Sequence, residues 1–125
     1  MKELLANYIL NDGEIVSLNL SVNYKSTGSS SFRQASIQLL VRKKIADGKW
    51  EPCLLKLDVE ELRKAAIAEE FEMASYSDII LKRQADTTWY FSLDPFGNSG
   101  EPHENDNMVL VATSVAIAEG VIHEL

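Results

Sequence analysis

The chain has 125 residues, with 19 acidic and 12 basic side chains and a net charge of −7, and its length fits one domain spanning 1–125. That balance excludes the basic footprint that nucleic acid or an anionic membrane surface requires, and no apolar run approaches the roughly 20 residues of a membrane span. A single cysteine, Cys53, excludes an internal disulfide and a multi-cysteine zinc site.

The N-terminal Met-Lys-Glu-Leu-Leu lacks a signal-peptide pattern, which predicts a cytoplasmic protein. From there the organising signal is period-two alternation broken by turn residues. Residues 4–10 read as a first strand, with a short helix over 3–10 as the alternative. Asn11-Asp12-Gly13 follows as a hairpin turn, because these residues supply positive-φ positions. Residues 14–24 return as a strand with Val16, Leu18, Leu20, Val22 and Tyr24 on one face.

After a Gly/Ser-rich loop over 25–31, residues 36–45 and 50–57 form a second hairpin around Asp47-Gly48. Pro52 has no amide hydrogen, so its stretch belongs at a sheet edge or a bulge. Cys53 sits in the apolar strand pattern and reads as a small buried hydrophobe.

The segment 58–70 carries the marks of a helix. Asp58 is placed to cap free amides and Glu61 to complete a capping box. Leu62, Ala65, Ala66 and Ala68, with the Glu60–Lys64 pair, favour the helix by propensity and i,i+4 charge pairing. Its apolar face of Val59, Leu62 and Ala66 is narrow, so the helix is expected to cover one side of a sheet.

Residues 77–83 and 88–93 predict a third hairpin around 84–87, with Ile79 and Leu81 matched against Trp89, Phe91 and Leu93. Residues 108–117 are apolar on both faces and rich in β-branched side chains, the pattern of a central strand. Residues 119–125 add a short edge piece. The expected fold is α+β: a mostly antiparallel sheet of six to seven strands in hairpins, with one helix packed on it. A partly closed β-barrel with one helix is the alternative.

Between the two best strands lies a polar loop, 94–107, with Asp94, Glu101, Glu104 and Asp106 and no Lys or Arg. It carries −4 of the net −7. A long loop of this kind inside a compact domain is usually functional or disordered. Pro95 and Pro102 give it two stiff points, and Phe96 is its one large apolar side chain, expected to anchor back on the domain. Three readings apply to it: a solvated loop, a partner-binding surface, or a cation site. The spacing matches no calcium loop. His103, Glu104 and Asp106 also supply too little imidazole for a catalytic zinc.

No Gly-x-Ser-x-Gly elbow or phosphate-binding glycine motif occurs, and His123 lies in the C-terminal tail. No catalytic residue, metal or cofactor is therefore assigned. The expectation is a small acidic cytoplasmic interaction module, of the immunity, inhibitor or adaptor kind, facing a basic protein partner. Asp94, Phe96, Glu101, His103, Glu104 and Asp106 are its candidate contacts. A small-molecule binding domain built as a β-cup is the second reading, and a metal-dependent hydrolase the third. Edge strands of mixed character leave room for a homodimer about a two-fold axis.

Overall fold

The computed structural model describes residues 6–23, 32–67, 79–96 and 100–120, which form six strands and no helix. In chain order these are β1 (Tyr8–Asn23), β2 (Phe32–Ala46), β3 (Lys49–Ala66), β4 (Ile80–Arg83), β5 (Trp89–Asp94) and β6 (Asn107–Glu119). They join one sheet in the order β1-β2-β3-β6-β5-β4, antiparallel at every pairing. The sheet curls into a half-barrel, which lets one layer bury its own inner face. Ala35, Ile37, Leu39 and Val41 of β2 alternate into that face, joined by Cys53, Leu55, Leu57 and Val59 of β3. Phe91, Leu93, Leu110 and Ala112 complete it from β5 and β6. Burying each such Leu, Ile or Phe stabilises the fold by about 1.5–3 kcal/mol.

The second hairpin forms as expected, with Gly48 at φ 72 closing the β2–β3 turn. Pro52 stands opposite Arg42, in the part of β3 before its pairing with β6 begins at Leu55. Its missing amide hydrogen therefore falls where β3 is locally an edge. The third hairpin also forms, with Leu81 opposite Phe91. β6 lies between β3 and β5, the central place its two-sided apolar pattern predicts.

Two expectations are corrected. Asn11-Asp12-Gly13 is not a hairpin turn but a distortion within β1, which runs through it. Ile9 faces Arg42 and Glu14 faces Leu40, so β1 advances five residues (9 to 14) while β2 advances two (42 to 40). Asp12, at φ 58, absorbs the surplus in the left-handed region that Asp tolerates better than most residues.

The helix expected over 58–70 is also not formed, because residues 58–66 continue β3. There Val59 pairs with Val115 and Leu62 with Ala112, all on the inner face. Glu61 between them, at φ 54, bends the strand so that inward positions fall three residues apart instead of two. The α part of the α+β expectation thus has no counterpart among the described residues, and residues 68–70 lie outside them. No helix of the described residues is long and apolar enough to cross a membrane. Of the edge piece expected over 119–125, Glu119 ends β6 and residues 121–125 lie outside the described residues.

Candidate functional site

The loop over 94–107 joins β5 to β6, and the register fixes its base: Asp94 stands opposite Asn107. Ser92 is fully buried and clamps the base, donating to the Asn107 carbonyl at 2.7 Å and accepting the Asp94 amide at 3.2 Å. The chain re-enters the sheet through Met108, at φ 51. The loop folds over the outer face of the sheet, where Ile80, Tyr90, Val109 and Val111 form a second, small apolar cluster.

Asp106 holds the loop together. Its Oδ2 accepts the Tyr90 hydroxyl at 2.5 Å and the His103 amide at 2.9 Å, and its Oδ1 accepts the Phe96 amide at 2.6 Å. The Asp106 amide returns a bond to the His103 carbonyl at 3.0 Å, which closes the 103–106 turn. One carboxylate thus ties strand β5 to both limbs of the loop.

Burial opposes the Asp106 charge, yet the bonds from Phe96, Tyr90 and His103 outweigh it and hold its carboxyl below the ordinary carboxylate value. Burial, followed by the bond to Asp106 and that residue's charge, pushes the Tyr90 phenol well up. The His103 ring stacks on Phe96 at 4.5 Å between centroids, and its Nδ1 accepts the Asn105 amide at 3.0 Å.

The six candidate contacts divide into two groups. Phe96, His103 and Asp106 come together as one unit. Glu101 turns away to pair with Lys82 of β4, Glu104 stands exposed at the turn, and Asp94 stays at the base near the Asn107 amide group. Phe96 does not anchor to the domain as expected but is 54% exposed, because its backbone amide is what fastens it. His103 and Asp106 have their Nδ1 and carboxylate oxygens occupied by protein donors, so with Glu104 they do not form a preorganised metal triad. Among the described residues no group of three or more His, Cys, Asp or Glu side chains is placed to hold a metal.

Between the loop and the sheet lies a groove of about 320 Å³ lined by Lys64, Tyr90, Pro102, His103, Glu104 and Val109, among others. Sequence reading missed Tyr90 and Lys82 as parts of this site. Their only signal was alternation, which places both on the outer face, opposite one another.

A second polar cluster closes one end of the inner face. Lys43 Nζ meets both Glu119 carboxylate oxygens, at 2.9 and 3.0 Å, and Cys53 Sγ donates to Glu119 Oε1 at 3.3 Å. Burial first, then the Glu119 bond and charge, push the Cys53 thiol up to about 11. With 5% exposure and a thiolate fraction of about one in ten thousand at neutral pH, Cys53 is expected to resist maleimide or disulfide reagents in the native state. Labelling should appear only with denaturant. Rapid native labelling would contradict this placement.

Comparison with known proteins returns no matching family model, no similar curated protein and no matching solved structure. The geometry therefore defines the molecule only as an antiparallel half-barrel carrying a fastened acidic hairpin loop.

Proposed function

We propose that the protein is a small cytoplasmic interaction module that presents the 94–107 loop to a basic protein partner. The observation that carries this reading is the division of labour within the loop. Asp106 fastens both limbs and Glu101 pairs with Lys82, which leaves Glu104 and the Phe96 ring turned to solvent on a fastened frame. A fastened loop loses little further entropy on binding. Its charge steers a cationic partner, and an exposed aromatic supplies contact area at low conformational cost.

The test uses a lysine-rich peptide as probe, with association followed at several salt concentrations. Asp94→Ser with Glu104→Ser is expected to slow association several-fold and to flatten its salt dependence, while Phe96→Ala speeds dissociation. Asp106 is left intact in this experiment because its loss would release the loop. Unchanged kinetics in both variants would sink the proposal.

A second reading, binding of a small molecule, has one observation in its favour: the groove beneath the loop, with Lys64, Tyr90, His103 and Glu104 converging on it. Its volume is at the lower end of the about 300–1,000 Å³ typical of ligand pockets. The inner face offers less, since Ile37, Leu39, Leu55 and Leu57 fill it at 0–1% exposure.

A further inference from the structure

The two edges of the sheet differ in how they are protected. At one edge β4 is four residues long and ends in Lys82 and Arg83, short and charged in the manner that keeps edges from pairing. At the other edge β1 runs for 16 residues and has no strand on its outer side among the described residues. Over residues 15–23, Ile-Val-Ser-Leu-Asn-Leu-Ser-Val-Asn, it contains no charge, proline or glycine. Three of the six exposed large hydrophobics among the described residues lie on it: Val16 at 37%, Leu20 at 46% and Val22 at 43%. Such an edge is a template for another strand.

The pattern of β1 matches itself. Its register against β2 is regular from Ser17 onward. Leu18, Leu20 and Val22 face inward, opposite Ile37, Ala35 and Arg33, while Asn19 and Ser21 face outward, opposite Ser36 and Gln34. Two copies related by a two-fold axis through Leu20 and perpendicular to the sheet would set Leu18 against the partner's Val22. Leu20 would meet the partner's Leu20, and Asn19 the partner's Ser21. Apolar side chains then meet apolar ones on the inner face and polar meet polar on the outer, with both free edges removed together.

Each copy carries −7, but the acidic residues of β1 are confined to Asp12 and Glu14, outside the matched stretch. The neutral stretch 15–23 is thus where two like-charged copies can approach. We propose that the chain self-associates through β1, as an antiparallel dimer centred on Leu20 that continues one sheet across both copies. The proposal is independent of the loop reading, since β1 lies at the far edge of the sheet from β4.

The test is sedimentation of the full chain up to about 1 mM, the weak end of specific affinities, at low and high NaCl. A concentration-dependent dimer is expected. It should tighten with salt as the net charges are screened, the opposite sign from binding at the acidic loop. Leu20→Lys sets two ammonium groups against each other and should raise the dimer dissociation constant about tenfold or more, with far-ultraviolet dichroism unchanged. Leu20→Cys should cross-link to its own copy on mild oxidation, while Asn19→Cys, set against the partner's Ser21, should not. A chain that stays monomeric throughout overturns the proposal and leaves this edge to a strand of another protein. A dimer unmoved by Leu20→Lys, with no Leu20→Cys cross-link, overturns it in favour of a different interface.

Discussion

Replacing Asp106 with alanine is expected to cost about 2–3 kcal/mol of stability, the scale of losing charge-assisted bonds at a partly buried carboxylate. Three donors lose their acceptor at once: the Tyr90 hydroxyl and the amides of Phe96 and His103. Tyr90 is 8% exposed, so its hydroxyl has little access to water in compensation. Asp106→Asn should cost less, because one amide oxygen still accepts while the charge is gone. Urea denaturation of wild type and variants measures both effects. A loss under about 0.5 kcal/mol for alanine, the ordinary surface range, would show that the loop does not depend on this residue.

The same contacts set a pH window. The folded carboxyl of Asp106 sits below its ordinary value. Its contribution is therefore present above the ordinary carboxylate pKa of about 3.9 and lost as pH falls through the folded value. Tyr90 works in the other direction. Its folded phenol sits above the ordinary value, so its contribution is present below about pH 10 and lost as pH rises through the folded pKa. Stability from the loop should be flat from about pH 5 to 9 and fall at both ends. Tyr90→Phe should remove the alkaline fall and keep most of the acid one, since the Phe96 and His103 amides still meet Asp106. Asp106→Ala should remove the acid fall but only lessen the alkaline one, since burial still holds the Tyr90 phenol up.

This carboxylate shows how far the sequence reached. Asp94, Glu101, Glu104 and Asp106 are chemically alike along the chain, and nothing in their spacing marks one as structural. The distinction arises because β5 points Tyr90 to the outer face, so the fourth acid meets a largely buried hydroxyl, while Glu101 meets an exposed lysine of β4. Lys82 and Glu101 meet across 19 residues, a separation that no local pattern encodes. The strands were legible for the opposite reason. Alternation is local, and in β2 and β5 it translates directly into inner and outer faces. At Asn11-Asp12-Gly13 the local signal was real, since Asp12 does take a positive φ. The conformation serves a distortion within one strand rather than a turn between two, and both need the same residues.

The false helix at 58–70 has a sharper cause, which gives the second large prediction. A strand normally buries every second residue, whereas Val59 and Leu62 are both buried at a spacing of three. Across the ladder Val115 and Ala112 share that spacing and face them. The bend at Glu61 thus imitates one step of helical periodicity, and Asp58, Glu60 and Lys64 supply the polar companions a helix would have. Helix and bent strand predict opposite outcomes at this exposed position. In a helix, Glu61→Gly costs about 1 kcal/mol. At φ 54 the glutamate already bears about 1–2 kcal/mol of left-handed strain. Glycine removes that strain at the cost of extra chain entropy, so Glu61→Gly should be neutral or stabilising by up to about 1 kcal/mol. Glu61→Val should cost about 2–3 kcal/mol, because a β-branched side chain in this region is a severe outlier. Valine is otherwise the better strand former, so a large loss from it points to the bend and not to strand propensity. If thermal unfolding instead shows glycine as the damaging residue and valine as harmless, the bend is wrong. The curvature that lets a single sheet bury its inner face would then need another source.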